Sequence, residues 1–164
     1  MEHLFNNLSE KLFSHLEKDE HLIISFDGES SQFIRFNNAS IRQTGLVDDA
    51  TMGLKYIANG RTCHGAFTVS GNQDIDIQRG ECEIDRMRIE SKEIPVDPFL
   101  VMPKNSGSSH EIKKVNGLPF DNAVSALIPV MEGIDFVGIW VNGNMYRGNA
   151  NSLGQRHWFE TDSH

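Results

Sequence analysis

The side chains best suited to bind a ligand lie near the carboxyl end, in a run rich in glycine, asparagine and arginine. This run covers residues 136–160 and reads FVGIWVNGNMYRGNANSLGQRHWFE. A guanidinium group grips a carboxylate through two parallel hydrogen bonds, so Arg147 and Arg156 are candidates for binding a carboxylate. Asn151 and Gln155 add amide donors beside glycines, which permit unusual backbone angles. The run therefore predicts a loop that contacts a peptide or a partner protein, although a purely structural set of turns explains the same residues.

A second group of polar side chains lies in residues 33–45, which read FIRFNNASIRQTG. Polar residues alternate there with aromatic and aliphatic ones, a pattern typical of a sheet with one face in solvent. Arg35 and Arg42 become candidate contact residues if that face instead turns toward a partner subunit or a cleft. The solvent-facing interpretation is the simpler one, and both remain open.

No pattern of catalytic or metal-binding residues is present in the sequence. The H-E-x-x-H arrangement of two histidines around an acid does not occur. Cys63 and His64 are adjacent, and adjacent side chains of a strand point to opposite sides, which disfavours joint binding of one ion. The serines lack the G-x-S-x-G elbow, and the glycines match neither a dinucleotide fingerprint nor a phosphate loop. We therefore predict no catalytic residue, no cofactor-binding residue and no metal ligand in these residues.

Charge and composition limit the classes of partner. The formal net charge at pH 7 is −8, with seven histidines counted as neutral. Binding to phosphates needs clustered lysine and arginine, so we expect no nucleic-acid partner. Cys63 and Cys82 stand far apart without a second pair, which favours two free thiols over one disulfide. The first residues carry no positively charged leader and no apolar run approaches membrane-spanning length, so we expect a cytoplasmic protein without a membrane partner.

The first half of the chain predicts one helix followed by strands. Apolar residues at steps of three and four form one stripe of a helix that ends near Lys18. Asparagine, aspartate and glycine pairs favour tight turns, most strongly Asn59-Gly60. The predicted turns are at residues 27–28, 37–38, 48–49 and 59–60. The predicted strands are residues 22–26, 32–36, 39–47, 51–58 and 61–69.

The second half predicts two further helices and further strands. A helix is expected over residues 72–93, weakened by Gly80 and ended by the prolines that follow it. A loop covers residues 103–109, and Asp121 is the expected N-cap of an amphipathic helix that Pro129 kinks. A strand at 134–141, a turn at 142–144, a short strand at 145–149 and a strand beginning at 158 complete the pattern. The fold class predicted is α+β, a largely antiparallel meander sheet with two to three packed helices.

Four blocks of the sequence resemble, in order, the amino-terminal region of the TldD/PmbA family, the "modulator of DNA gyrase" proteins. They are FIRFNNASIRQTG at 33–45, VSGNQD at 69–74, VDPFL at 96–100 and the run at 135–160. The resemblance implies zinc metallopeptidases that act as homo- or heterodimers and cleave unfolded or modified peptides in an enclosed cavity. It also implies that zinc is bound by a carboxy-terminal part of the catalytic members, so no cofactor is expected in this segment.

We therefore expect residues 1–164 to be a single amino-terminal α+β domain, a fragment of a longer chain without the metallopeptidase domain. Its expected role is to form part of the cavity wall and of the dimer interface, with no catalysis by this segment alone. The alternatives are a non-catalytic partner subunit and a stand-alone protein-interaction module.

Overall fold

The computed structural model describes residues 1–102, 104–115, 117–131 and 133–163. Within these residues the chain forms three helices and one mixed, mostly antiparallel sheet of six strands, in the order β3-β2-β1-β5-β6-β4. The predicted α+β class is confirmed. The elements in chain order are α1 (Glu2–Ser14), β1 (Glu20–Asn37), β2 (Ser40–Ala58), β3 (Arg61–Thr68), α2 (Gln73–Glu90), a 3-10 turn (Ser91–Glu93), β4 (Ser109–Lys113), α3 (Phe120–Met131), β5 (Gly138–Asn151) and β6 (Arg156–Ser163).

The chain divides into two compact units, and each unit is assembled from three separate stretches of sequence. The first unit comprises Met1–Gly28, Ala50–Glu111 and Tyr146–Phe159. The second comprises Glu29–Asp49, Ile112–Met145 and Glu160–His164. Strands β1, β2, β4, β5 and β6 each continue from one unit into the other along the chain.

The core of the first unit lies where α1 and α2 pack on the sheet. The predicted apolar stripe of α1 is confirmed, since Phe5, Leu8 and Leu12 are completely buried. Four aromatic rings meet beside this helix, and the ring of Trp158 lies 5.6 Å from that of Phe5 and 6.0 Å from that of Tyr146. Such offset pairs add about 0.5–1.5 kcal/mol each beyond their buried area. The carboxyl end of the chain is thereby fastened to the amino-terminal helix.

The end of α1 differs from the prediction, and the structure explains the glycine in α2. Helix α1 ends at Ser14 rather than near Lys18, and the chain then reverses at Asp19, whose φ is +68°. Helix α2 is confirmed, with the side chain of Asn72 accepting the backbone N–H of Ile75. A Cβ at Gly80 would lie 2.6 Å from Leu12 Cδ2, so the glycine that weakens α2 in isolation is what lets α1 approach it.

The core of the second unit is smaller and lies under α3. Ile34, Phe36 and Ala123 are buried there, and the rings of Phe36 and Phe136 meet at 6.1 Å. Helix α3 begins at Phe120, so Asp121 lies in its first turn and the predicted N-cap position is wrong. An acidic residue in the first turn still interacts favourably with the positive end of the helix dipole.

Three of the predicted turns are wrong, because the strands are longer than their local sequence suggests. Strand β1 runs through residues 27–28, β2 through 48–49 and β5 through 142–144. Neither Gly28 nor Gly143 has a positive φ. A Cβ at Gly143 would lie 2.3 Å from the Ser30 carbonyl oxygen and from Ser31 Cα. Gly143 therefore permits a close approach of two backbones and does not turn the chain.

The hairpin predicted at Asn59-Gly60 is confirmed, with φ of +50° and +70° and Ala58 paired with Arg61. The first hairpin turns at Asn38 and Ala39, one residue later than predicted. The predicted loop is confirmed for residues 104–108, while Pro103 lies outside the described residues. Strand β4 follows this loop and was not predicted; all five of its residues are exposed, so it carries no alternating apolar pattern.

Candidate peptide- and partner-contact site

Asn151, Gln155 and Arg156 lie at the turn between β5 and β6, where Asn151 is the organising side chain, whereas Arg147 lies inside β5. Its Oδ1 atom accepts the backbone N–H groups of Leu153 at 3.0 Å and Gln155 at 3.2 Å. Its Nδ2 atom donates to Gln155 Oε1 at 3.1 Å, and the residue is only 4% exposed. Gly154, with φ +93°, completes the turn. Asn151 therefore stabilises the turn through hydrogen bonds within it. This is the structural role, one of the two roles that the sequence allowed for this residue.

Gln155 and Arg156 face the loop that precedes β4. Gln155 Nε2 donates to Ser106 Oγ at 2.9 Å, and the backbone N–H of Arg156 donates to Ser108 Oγ at 3.0 Å. The Arg156 guanidinium lies 3.4 Å from Glu10 Oε1 on α1. Two of the predicted donors are thus engaged with residues of the same chain; the sequence predicted the loop that engages them but not its contacts with these residues.

Arg147 already binds a carboxylate of its own chain. Its Nε lies 3.0 Å from Asp27 Oδ1, and its Nη1 donates to the Tyr146 carbonyl at 2.9 Å. Both charged side chains are about half exposed, at 47% and 60%. An exposed pair of this kind contributes only about 0–1 kcal/mol, so an incoming carboxylate could replace Asp27 at little cost.

Arg35 and Arg42 lie in the second unit, and the structure does not pair them. Arg35 Nη1 donates to Gln43 Oε1 at 3.4 Å, and its guanidinium carbon is 5.7 Å from the centre of the Phe33 ring. Gln43 therefore shares a face with Arg35, and alternation along β2 places Arg42 on the opposite face. Both arginines are exposed.

A buried ionic cluster in the first unit was missed entirely by sequence reasoning. Glu20 accepts hydrogen bonds from Arg88 Nε at 2.6 Å, Arg88 Nη2 at 2.9 Å and the Tyr56 hydroxyl at 2.6 Å. The Glu20 side chain is 7% exposed. Burial alone would raise the pKa of Glu20, but the hydrogen bonds from Arg88, Tyr56 and the Glu17 backbone, with the Arg88 charge, lower it to about 2. No local signal connects residues 20, 56 and 88, because only the fold brings them together.

The same cluster raises the pKa of the Tyr56 hydroxyl well above its usual value, through burial and its hydrogen bond to Glu20. Arg88 also donates to the carbonyl of His15 and pairs with Asp85. Each of the three guanidinium nitrogens of Arg88 therefore donates to a group of its own chain. The cluster ties α2 to the start of β1, and loss of one partner would leave a buried charge without compensation.

A cleft of about 450 Å³ lies in the second unit, at the close approach made by Gly143. It is lined by residues of three strands: Ser30, Ser31, Gln32, Leu46, Val47, Asp48, Asn142, Gly143 and Asn144. Asp48 is its only charged member, so the cleft offers hydrogen-bonding groups rather than a charge pair. Ser31 is nearly buried and its hydroxyl donates to Glu29 Oε1 at 2.5 Å.

The described part of the chain contains neither a metal-binding cluster nor a membrane-spanning helix. No three His, Cys, Asp or Glu side chains there are grouped so as to hold a metal ion. None of the described helices is long and apolar enough to cross a membrane. Cys63 and Cys82 are both free thiols, and burial raises the pKa of the Cys63 thiol.

No family model matches the sequence, and no curated protein matches it significantly. Solved structures do match. TldE from Thermococcus kodakarensis superposes with a TM-score of 0.73 at 15% identity, over 96% of this chain and 37% of that one. A candidate modulator of a DNA gyrase from Thermotoga maritima gives 0.68 at 15% identity, over 96% of this chain and 37% of that one. Another candidate modulator of DNA gyrase, from Bacteroides thetaiotaomicron, gives 0.60 at 14% identity, over 97% of this chain and 38% of that one.

This chain is thus an α+β protein with the fold of one part of these larger structures. The resemblance to the TldD/PmbA family that the sequence predicts is confirmed at the level of the fold. The chain spans less than two fifths of the length of each structure that it matches.

Proposed function

We propose that residues 1–164 are the amino-terminal domain of a TldD/PmbA-type peptidase, and that this domain forms part of a peptide cavity and of a dimer interface without catalysing the reaction. The observation that carries the proposal is the fold itself, shared over 96–97% of the chain with TldE and two candidate gyrase modulators. The ordered sequence blocks at 33–45, 69–74, 96–100 and 135–160 add support that is independent of the superposition.

Exposed apolar side chains support the interface part of this proposal. Phe99 is 87% exposed and Val101 is 83% exposed, in the segment that joins α2 to β4. The segment is positioned by hydrogen bonds from the Asp97 backbone N–H to the Gly60 carbonyl at 2.8 Å and from the Phe99 N–H to Asp97 Oδ1 at 2.9 Å. Apolar residues held outward by polar anchors are typical of a surface that another protein covers.

Zinc belongs, under this proposal, to a part of the longer protein beyond these residues, and the substrate is an unfolded or modified peptide. Arg147 is the residue of this domain best placed to attract a peptide carboxylate, because the carboxylate it now holds is exposed. The proposed location is the cytoplasm, and subcellular fractionation of the native protein tests it.

The decisive experiment compares this chain with the protein expressed from its full reading frame. Zinc content and cleavage of an unfolded protein substrate are measured for both. Stoichiometric zinc and cleavage confined to the longer protein are expected. Zinc-dependent cleavage by the 164-residue chain alone would refute the non-catalytic role.

A second candidate function is an interaction module or a non-catalytic partner subunit, and the same exposed segment favours it. The variant Phe99→Ser with Val101→Ser tests the interface in either case, with Glu93→Ser as an exposed control nearby. We expect the double variant of the full-length protein to elute at a smaller mass than wild type in light-scattering chromatography, and the control to elute unchanged. An unchanged mass of the double variant would show that this segment is not part of the interface.

A further inference from the structure

The loop before β4 lies along the β5–β6 turn in the way that a bound peptide would. We name residues 104–109 the strap; its last residue, Ser109, is also the first residue of β4, which lies beside β6 in the sheet. Four hydrogen bonds connect it to residues 153–157: Asn105 to the Leu153 carbonyl at 3.1 Å, Ser106 to Gln155 at 2.9 Å, Ser108 to the Arg156 N–H at 3.0 Å, and Ser109 to His157 at 2.7 Å. The partners are separated by 48 or 49 residues in every case. The constant separation means that the strap runs in the same direction as the segment that it covers.

The chemistry of these four contacts differs from that of a strand pair. Each of them uses a side chain of the strap, and none joins backbone to backbone. The N–H of Arg156, the first residue of β6, is satisfied by a serine hydroxyl rather than by a carbonyl. A neutral hydrogen bond of this kind contributes little, and the strap residues around it are exposed.

We propose that residues 153–157 form a binding site for an extended peptide, which the strap occupies in its absence. The ligand class is a peptide rich in small polar residues, like the strap's own sequence KNSGSS. A peptide carbonyl would accept the Arg156 N–H in place of Ser108, and the Gln155 amide would bond to the peptide backbone in place of Ser106. Bonds to the peptide backbone would supply the affinity, and small polar side chains would let the peptide lie as close to residues 153–157 as the strap does. The choice of a peptide as ligand rests on the proposed function.

The inference predicts a link between strap closure and peptide affinity. Losing one neutral hydrogen bond changes an equilibrium about fivefold, so removing two favours the open strap about thirtyfold. Only the open form of the strap leaves residues 153–157 free for the peptide. While the open form is the minor one, the apparent affinity for the peptide rises in proportion to the population of that form. The double variant Ser106→Ala/Ser108→Ala should therefore bind peptide up to about thirtyfold more tightly than wild type.

The test uses the 164-residue chain without zinc, labelled for nuclear magnetic resonance. Wild type, the Ser106→Ala/Ser108→Ala variant and the control Lys104→Ala are compared, since Lys104 lies in the strap but makes none of the four contacts. Two quantities are measured: hydrogen exchange at the Arg156 amide, and the shift of that amide on titration with the synthetic peptide KNSGSS. A peptide with proline at both of the altered serine positions serves as the non-pairing ligand.

We expect faster exchange at Arg156 and tighter KNSGSS binding in the double variant only, with no shift from the proline peptide. Faster exchange without peptide binding would overturn the proposal, because the strap would then be a cover and not a stand-in for a ligand. Unchanged exchange would also overturn it. Neither measurement depends on peptidase activity, so this proposal and the proposed function are tested independently.

Discussion

The cluster of Glu20, Tyr56 and Arg88 makes the unfolding free energy of the first unit depend on pH in the acidic range. The pKa of Glu20 is about 2 in the folded protein against an ordinary value of 4.5. Because the folded pKa is lowered, the stabilisation is present above pH 4.5 and is lost as pH falls toward 2. One pKa unit corresponds to about 1.36 kcal/mol, so the lowering of the Glu20 pKa from 4.5 to about 2 stabilises the folded protein by about 3 kcal/mol at neutral pH, and most of this stabilisation is lost by pH 2.5.

The measurement is urea unfolding followed between pH 7 and pH 2.5 for wild type, Glu20→Gln and the exposed control Glu93→Gln. We expect the loss of unfolding free energy over this range to be smaller in Glu20→Gln by about 2 kcal/mol or more, while the control follows wild type. Tyr56→Phe should move the acid limb to higher pH, since it removes one hydrogen bond that favours the carboxylate. An equal pH dependence in Glu20→Gln and wild type would refute the assigned cause.

Two further substitutions test the fold with matched controls. Gly143→Ala should lower the unfolding free energy by about 2–3 kcal/mol, because its Cβ would meet backbone atoms at 2.3 Å; Gly53→Ala should change it by under about 1 kcal/mol, because its Cβ meets only the rotatable Ser25 hydroxyl. Equal effects in a urea titration would contradict this distinction. Asp76→Ala should cost about 1–3 kcal/mol, since the buried carboxylate accepts the Ser70 N–H and hydroxyl and the Gly71 N–H. The control Asp74→Ala removes an exposed carboxylate two residues earlier and should leave the unfolding free energy almost unchanged in the same urea titration. A comparable loss in the control would show that helix charge, and not these hydrogen bonds, is responsible.

The two Asn-Gly pairs show how far local sequence determines this fold. Asn59-Gly60 turns the chain because both residues adopt positive φ and the flanking strands pair. At residues 142–143 the same dipeptide lies inside β5, where the glycine is required by the backbone of Ser30 and Ser31 more than 110 residues away in sequence. Local propensity is identical at the two sites, and only the tertiary neighbour distinguishes them. Helix α1 was predictable because its apolar residues recur at steps of three and four, which is a local signal.

The candidate site was predictable in part for the same reason. The unusual run around residues 147–156 was visible from its composition, and the structure places Asn151, Gln155 and Arg156 at one turn, with Arg147 earlier in β5. The partners of these residues were not visible, because Glu10, Asp27, Ser106 and Ser108 lie far away in sequence and look like ordinary surface residues. A polar surface loop has no periodicity that would reveal what it covers.

The interleaving of the two compact units has a consequence for heredity. The chain passes between them after residues 28, 49, 111, 145 and 159, so five crossings separate six stretches. No continuous piece of the gene encodes either unit, and recombination at a single breakpoint cannot transfer one of them to another protein. An insertion or deletion in β1 or β2 alters both at once. Any exchange of one continuous stretch between genes would therefore replace only part of one unit or parts of both.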